Sequence, residues 1–371
     1  MARDKIKVLV VDDTLLYRKV LRDVLSSFSE TEVVGTASNG KAALEKIEEL
    51  SPDLVTLDVE MPVMDGLETL SALKEAKKDV KVIMVSALTK KDAQVTMRAL
   101  QLGAFDFIAK PDGGSLNENV ESLKLQFAPK IRVLKPRLQG RARAGKEEKE
   151  EAKPGRTSSP APAPPPVRGR RTPPSRPSIV AVGVSTGGPK ALTEVIPRLP
   201  ADLPVPVAVV QHMPPVFTGA LAENLDKKSA LAVVEAEDGT PLEAGRVYIA
   251  PGGKQMRIGG SSTSPVVRVT DDPPENHCKP SVDYLFRSVR EVFGPKALGV
   301  IMTGMGRDGT EGLKEMKKSG AFVLAQDEAT CVVYGMPMEA VKAGVVDEIL
   351  PLEKLAERIT ALVGSAAAAG R

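Results

Sequence analysis

Short runs of Val, Ile and Leu alternate with longer stretches of helical period in the first third of the chain. The runs lie at residues 5–11, 32–36, 54–57, 80–85 and 105–108. Continuous apolar runs of this length are typical of strands buried on both faces, as in a parallel sheet covered by helices. The pattern therefore predicts an α/β domain with five parallel strands, which we place at residues 1–130.

The same alternation resumes after residue 178. Apolar runs at residues 179–184, 206–210, 297–302 and 321–325 are each followed by a helical pattern, whereas residues 230–270 are richer in Gly, Pro and alternating residues. This predicts a second, doubly wound parallel α/β domain at residues 178–365, with a small antiparallel β insertion. An Ala-rich tail follows at residues 366–371.

Between the two patterned regions the chain lacks the apolar residues that a core needs. From residue 138 to residue 178 the only large aliphatic side chains are Leu138 and Val167, and residues 160–166 are mostly proline. Charged and proline-rich segments of this kind are typical of semi-extended spacers. We assign residues 131–177 to a Pro-rich linker, in which the basic cluster at residues 168–171 is expected to aid solubility.

Composition narrows the class of protein. The 51 Lys and Arg residues nearly balance the 48 Asp and Glu residues, and a net charge of +3 argues against nucleic acid as the main ligand. There is neither a charged-then-apolar leader nor an apolar run of about 18 residues, so we expect a cytoplasmic monomer without membrane insertion. The two cysteines, Cys278 and Cys331, lack CxxC spacing and are expected to be reduced and structural.

Chemically matched residues stand at the predicted strand ends of the first domain. Asp12 and Asp13 end the first strand, Asp58 ends the third, Ser86 the fourth and Lys110 the fifth. The carboxyl ends of parallel strands meet at one edge of the sheet. Three carboxylates repel one another there unless a hard cation such as Mg²⁺ neutralises them, and a hydroxyl and an ammonium suit a transferred phosphoryl group. The sequence thus predicts a Mg²⁺-dependent phosphoryl site.

These residues belong to motifs that resemble the receiver domain of response regulators over residues 5–127. The motifs are Val10-Val-Asp-Asp13, Leu57-Asp-Val-Glu-Met-Pro62, Met64-Asp-Gly66, Val85-Ser86 and Lys110-Pro111. The resemblance implies a flavodoxin-like fold and transfer of phosphate from a histidine kinase to Asp58. It also implies Mg²⁺ bound by Asp12, Asp13, Asp58 and the backbone carbonyl of Glu60, and switch positions at Ser86, Phe107 and Lys110.

A serine nucleophile is predicted in the second domain. The segment Gly183-Val-Ser-Thr-Gly187 lies between a strand and a helix and fits the G-x-S-x-G elbow, in which small neighbours allow a sharp turn that projects Ser185. Of the two histidines, His212 directly follows a strand whereas His277 follows a loop. Asp308 lies after the strand at residues 297–302. We predict a triad of Ser185, His212 and Asp308, with backbone amides near Thr186 or Met305 binding the oxyanion.

Other patterns in the same region point to different classes of protein. Gly183 and Gly188 are spaced like the glycines of a P-loop, but Pro189 stands where its lysine is needed. The glycines at 304, 306 and 309 with Asp327 also fit a dinucleotide fingerprint. A nucleotide-binding domain and a non-catalytic interaction module therefore remain as alternatives to a hydrolase.

Six motifs in order resemble the chemotaxis protein-glutamate methylesterases, which are also protein-glutamine glutaminases, from residue 177 to about 363. They are Val184-Ser-Thr-Gly-Gly188, Val210-Gln-His-Met-Pro-Pro215, Gly245-Arg-Val-Tyr-Ile-Ala-Pro-Gly252, Pro280-Ser-Val-Asp283, Met302-Thr-Gly-Met-Gly306 and Gln326-Asp-Glu328. The resemblance implies hydrolysis of glutamyl methyl esters on chemoreceptors, deamidation of receptor glutamines, and inhibition of the esterase by the unphosphorylated receiver. The esterase chemistry itself needs no cofactor.

Overall fold

The computed structural model describes residues 5–150 and 173–364. The contacts within the chain divide it into two units, Met1–Pro166 and Val167–Arg371. The segments predicted as proline-rich (160–166), basic (168–171) and Ala-rich (366–371) lie outside the described residues. None of the helices in the described part of the chain is long and apolar enough to cross a membrane.

The first unit is a five-stranded parallel sheet in the order β2-β1-β3-β4-β5. Its strands are β1 (Ile6–Val11), β2 (Thr31–Ala37), β3 (Leu54–Asp58), β4 (Lys81–Ser86) and β5 (Asp106–Ala109). Its helices are α1 (Leu15–Ser26), α2 (Gly40–Leu50), α3 (Gly66–Glu75), α4 (Lys90–Leu102) and α5 (Leu116–Glu150). The predicted α/β fold is confirmed, and the strand order reverses between β1 and β3, where a ligand crevice is expected.

The start of α3 is fixed by local contacts that also shape this crevice. Asp65 caps the helix and forms a reciprocal pair with Glu68, in which each side chain accepts a hydrogen bond from the backbone N–H of the other residue. A Cβ on Gly66 would lie 2.1 Å from the carbonyl oxygen of Asp58. Only glycine therefore lets the helix begin this close to the end of β3.

The last helix of the first unit runs past the predicted end of the domain. The sequence placed a linker at residues 131–177, but α5 continues to Glu150, and Ile131 and Leu134 are buried. Apolar side chains at this spacing lie on one face of a helix. The packed part of the first unit therefore extends at least to Leu134.

The second unit contains a seven-stranded sheet in the order β14-β13-β12-β6-β7-β9-β8, in which every neighbouring pair is parallel. Its strands are β6 (Ile179–Val184), β7 (Val207–Gln211), β8 (Ala232–Glu235), β9 (Arg246–Ile249), β12 (Ala297–Ile301), β13 (Phe322–Gln326) and β14 (Glu348–Leu350). A separate antiparallel hairpin is formed by β10 (Gln255–Ser261) and β11 (Ser264–Thr270). The helices are α6 (Gly188–Val195), α7 (Phe217–Asp226), α8 (Val282–Phe293), α9 (Thr310–Lys318), α10 (Met336–Lys342) and α11 (Leu352–Val363).

The predicted antiparallel insertion at residues 230–270 is correct only for the hairpin. β8 and β9 lie in the same stretch, but they extend the main parallel sheet beyond β7. Alternation and turn residues indicate short strands without indicating their direction, which depends on the neighbour that each strand meets. β14 was not predicted because three residues are too few to produce a pattern.

Helix α8 connects the core to the edge of the sheet where the candidate residues lie. Val282, Leu285, Phe286 and Val289 are fully buried on one face of the helix. Burying each of these side chains contributes about 1.5–3 kcal/mol, which fixes the position of the helix. Ser281 caps its N-terminus, so the first backbone amides of α8 are held in place next to the carboxyl ends of β6 and β12.

Candidate active site

The first unit brings a lysine between two carboxylates. Lys110 Nζ lies 2.8 Å from Asp12 Oδ2 and 2.7 Å from Asp58 Oδ2. Both carboxylates are buried at the reversal of strand order. Burial raises the pKa of Asp58 to about 7, and the charge of Asp12 adds to this, although Lys110 opposes it. One lysine therefore does not fully compensate for the burial and mutual repulsion of the two carboxylates.

The donor set in this pocket fits Mg²⁺. Oxygen atoms of Asp12, Asp13 and Asp58 lie within 4.8 Å of one another. Asp12 Oδ2 is buried, and beyond its ion pair with the Lys110 ammonium at 2.8 Å no donor among the described residues satisfies it. Carboxylate oxygens with free lone pairs are the ligands that Mg²⁺ prefers. Glu60, whose carbonyl was assigned as a further ligand, directs its side chain to Lys91.

The positions assigned as switches line the buried side of the same sheet edge. Ser86 ends β4 and is fully buried, where its hydroxyl accepts a hydrogen bond from Thr96 Oγ1 at 2.9 Å. Phe107 is buried in β5, beside β4. Lys110 also lies over the ring of Tyr17, 4.7 Å from its centroid. Lys110 thus contacts Asp58 directly, and β4, which ends at Ser86, is the strand next to β3, which ends at Asp58.

In the second unit, the three predicted catalytic residues follow three neighbouring strands. Ser185 follows β6, His212 follows β7, and Asp308 lies in the loop after β12. Gly187 has φ +81°, and a Cβ there would lie 2.4 Å from Val332, so the turn after Ser185 requires glycine. The backbone N–H of His212 donates to Val184 O at 3.1 Å. This bond places the histidine beside the serine turn.

Asp308 is held by an unusual number of donors. His212 Nε2 lies 2.7 Å from its Oδ2, which also accepts from the backbone N–H of Val282 at 2.7 Å. The other oxygen, Oδ1, accepts hydrogen bonds from four groups: Asn276 Nδ2, Ser281 Oγ, Asp283 N and Gly309 N. Burial by itself raises the pKa of Asp308, but the hydrogen bond and charge of His212 and the amides at the start of α8 outweigh it and hold the pKa below its ordinary value.

An ionised Asp308 fixes the tautomer of His212. Nε2 carries a proton toward the carboxylate, so Nδ1 is the nitrogen with a free lone pair. Burial by itself lowers the pKa of His212, but hydrogen bonds to Asp308 and Cys278 outweigh it and raise the pKa above its ordinary value of 6.5. In the serine-protease arrangement the acid binds Nδ1 and the base is Nε2. In this protein it is Nε2 of His212 that binds the acid, and Nδ1 that is left with the lone pair.

Ser185 and His212 are neighbours without a hydrogen bond between their side chains. Among the described residues the Ser185 hydroxyl has no hydrogen-bond partner, and His212 Nδ1 contacts Cys278 Sγ at 3.8 Å. Gln211 Nε2 donates to the carbonyls of both Ser185 and His212, at 3.0 and 3.1 Å. Gln211 therefore joins the backbone of the serine turn to the backbone of the histidine.

The two residues assigned to the oxyanion site differ in their surroundings. Thr186 is buried, and its carbonyl accepts a hydrogen bond from Thr303 Oγ1 at 2.9 Å. Met305 is half-buried, and within the described chain its backbone N–H makes no hydrogen bond. Gly304 next to it packs on Ser185, because a Cβ on Gly304 would lie 2.8 Å from Ser185 Cβ. In the described chain the Met305 amide thus has no partner within the fold and follows a glycine that packs on Ser185.

The dinucleotide alternative gains no support from the same loop. The Gly304 N–H donates to Val333 O and the Gly304 carbonyl accepts from the N–H of Met336. Asp327 Oδ1 accepts from both the N–H and the hydroxyl of Thr330. The first glycine and the acid of the fingerprint thus serve contacts within the fold.

Sequence reasoning did not assign a role to four residues of this site. Gln211 and Ser281 lie inside quoted motifs, but their hydrogen bonds to Ser185, His212 and Asp308 depend on the tertiary structure. Asn276 and Cys278 belong to a loop, and Cys278 was expected to have only a structural role. The only feature of the sequence that could have pointed to these two residues is that they lie just before the motif Pro280-Ser-Val-Asp283.

Comparison with known proteins matches both units separately. The family model of the CheB methylesterase matches residues 180–359, and that of the response regulator receiver domain matches residues 8–121. The solved catalytic domain of Thermotoga maritima CheB methylesterase is 42% identical, with a TM-score of 0.50, and covers 50% of this chain and 99% of that domain.

Named relatives match this chain over nearly the whole length of both proteins. A protein of Desulfotalea psychrophila named protein-glutamate methylesterase/protein-glutamine glutaminase is 46% identical over 365 residues, which are 95% of this chain and 97% of that protein. A protein of Bacillus subtilis with the same name is 46% identical over 363 residues, which are 96% and 98% of the two chains. The chain described here therefore belongs to the CheB family, in which a response regulator receiver domain is joined to a methylesterase domain.

Proposed function

We propose that this protein hydrolyses glutamate methyl esters of chemoreceptors to glutamate and methanol, deamidates receptor glutamines, and is activated when a histidine kinase phosphorylates the receiver. The observation that carries the proposal is the pairing of His212 with a buried, ionised Asp308 directly beside the serine turn. A base whose tautomer is fixed by a carboxylate, next to a half-buried serine hydroxyl on a sharp turn, is the arrangement that acyl transfer requires.

In the proposed reaction His212 Nδ1 takes the proton of Ser185 as its oxygen attacks the ester or amide carbonyl. The Met305 amide, with the amide of Thr186, donates to the oxyanion. His212 then gives the proton to the leaving methoxide or amine, so methanol or ammonia departs. Water attacks the acyl-enzyme with His212 again as base, and Asp308 stabilises the imidazolium in both steps.

The receiver would hold Mg²⁺ through Asp12, Asp13, Asp58 and the carbonyl of Glu60. The ion would neutralise the charge that gathers around the phosphoryl group. Lys110, already between Asp12 and Asp58, would bind one phosphoryl oxygen. The esterase is proposed to need no cofactor, and the protein is proposed to act as a cytoplasmic monomer.

The direct test of the proposal is methanol release from methylated chemoreceptors, together with labelling of the protein by a fluorophosphonate. We expect methanol release and labelling of one serine, Ser185. A non-catalytic interaction module predicts neither result, because it has no activated hydroxyl. A nucleotide-binding domain predicts protection of the chain by nucleotide and no methanol.

The pH dependence should report the raised pKa of His212. The base must be neutral, so kcat/KM rises with pH and reaches its plateau only above the pKa of His212, with a midpoint above 6.5. In Asp308→Asn the neutral amide no longer stabilises the imidazolium, so the midpoint should move to lower pH while the plateau falls. The measurement is kcat/KM for methanol release between about pH 5 and 10, with His277→Asn as the matched control. An unchanged midpoint in Asp308→Asn would contradict the role given to this carboxylate.

A further inference from the structure

The nitrogen that acts as base has a thiol as its neighbour. Cys278 Sγ lies 3.8 Å from His212 Nδ1, and atoms of His212, Cys278 and Asp308 lie within 4.8 Å of one another. The histidine side chain is 15% exposed and Cys278 is half-buried, so the pair can be reached from solvent. The proposed esterase reaction has no use for this thiol.

From this geometry we propose that His212 Nδ1 and Cys278 Sγ form a binding site for a thiophilic divalent cation, Zn²⁺ above all, and that the bound ion inhibits the esterase. The inhibition rests on the proposed function, whereas binding of the metal does not.

The distance between the two donors suits a shared ion. Zn²⁺ lies about 2.3 Å from a thiolate and about 2.0–2.1 Å from an imidazole nitrogen, which puts the two donors about 3.5–3.6 Å apart at the tetrahedral angle. The observed 3.8 Å is about 0.2 Å longer, a difference that a small shift of either side chain closes. The thiol lies within hydrogen-bond distance of both His212 Nδ1, at 3.8 Å, and Asn276 O, at 3.5 Å, so no single short hydrogen bond holds its proton. On binding, this proton leaves to solvent and the thiolate becomes a ligand.

The second nitrogen of the histidine is already arranged as in a metal site. Metal-binding histidines commonly donate their other N–H to a carboxylate, which orients the ring and makes the free nitrogen a better ligand. Asp308 does this for His212 Nε2 at 2.7 Å. The contact that prepares Nδ1 as a base therefore prepares it equally as a ligand.

The loop that carries Cys278 is held rigidly. Asn276 and His277 have φ values of +52° and +62°, and the backbones of Glu275 and Cys278 exchange two hydrogen bonds across this tight turn. Left-handed backbone at two consecutive non-glycine residues costs free energy and persists only where its surroundings hold it. Asn276 supplies part of that support by donating to both Asp283 and Asp308.

A bound ion and catalysis exclude each other. The ion would occupy the lone pair that must accept the Ser185 proton, while its remaining positions are open to water or to the serine hydroxyl. Mg²⁺ does not compete for this site, because it prefers oxygen ligands. Mg²⁺ should therefore bind at the carboxylates of the first unit, and Zn²⁺ at His212 and Cys278.

The experiment uses the full-length reduced protein in excess Mg²⁺, with Co²⁺ as a spectroscopic probe and Zn²⁺ as the inhibitor. We expect one Co²⁺ per chain with a thiolate-to-cobalt charge-transfer band, loss of the band on adding Zn²⁺, and inhibition of methanol release by Zn²⁺. In Cys278→Ala the band should disappear, and the Zn²⁺ concentration for half-inhibition should rise at least about tenfold. Cys278→Ser, which keeps a side chain of similar size, should behave in the same way.

Two controls use the remaining residues of the same types. Cys331→Ala removes the other, buried thiol, and His277→Asn removes the exposed histidine beside Cys278. Both should keep the band and the Zn²⁺ sensitivity of the parent protein. A band that survives in Cys278→Ala and Cys278→Ser, or is lost in either control, would overturn the site. Equal Zn²⁺ inhibition of Cys278→Ser and the parent would do so too. Because the band is recorded without substrate, failure of the metal site is distinguishable from failure of the esterase.

Discussion

Ser185→Ala and His212→Ala should each lower the rate of methanol release by roughly 10³-fold or more, because one removes the nucleophile and the other the base. The double variant should lose about as much as either single variant, since the two residues act as one unit. The measurement is single-turnover methanol release from methylated receptors, with Ser262→Ala and His277→Asn as controls. Both controls change an exposed residue of the same type.

The folds of these variants should survive, for reasons visible in the site. The Ser185 hydroxyl has no hydrogen-bond partner among the described residues, so its removal leaves no buried group unsatisfied. Without His212, Asp308 still accepts five hydrogen bonds, two of them from the first amides of α8. Near-normal methanol release from a folded Ser185→Ala variant would favour the non-catalytic interaction module.

A small phosphodonor with Mg²⁺ should accelerate the esterase of the full-length chain by roughly 5- to 150-fold, the range of typical coupling free energies. We expect this because phosphate on Asp58 adds charge to a buried pocket in which Lys110 already joins Asp58 to Asp12. The ammonium and the neighbouring β4 and β5 then respond as a two-state element. Phosphorylation is followed with a radiolabelled phosphodonor, and the esterase by methanol release.

Asp58→Ala should lose both the label and the acceleration, whereas Asp23→Asn, which changes an exposed carboxylate on α1, should keep both. Omitting Mg²⁺ should abolish the acceleration in the parent protein, since the crowded carboxylates then lack their counter-ion. Undiminished labelling of Asp58→Ala would refute the assigned site. Labelling without acceleration would show that the receiver does not control the esterase.

The positions of the strand ends could be predicted from the sequence, because they depend on the pattern of neighbouring residues. Buried parallel strands appear in the sequence as unbroken apolar runs, and their carboxyl ends share one edge, so Asp12 and Asp58 could be placed together without a structure. The same argument placed Ser185, His212 and Asp308 at one edge of the second sheet. The extension of α5 beyond residue 130 was missed, because the stretch after Leu134 has few apolar residues to mark a helix.

The sequence by itself determined two α/β units, their strand ends and the residue types available there, since these follow from the periodicity of neighbouring residues. The tertiary structure decided which nitrogen of His212 faces Asp308, because that depends on the position of Asp308 at the N-terminus of α8. It also decided that β8 and β9 join the main sheet and that Cys278 meets His212 across 66 residues. Contacts between distant segments are set by packing, which no local pattern encodes.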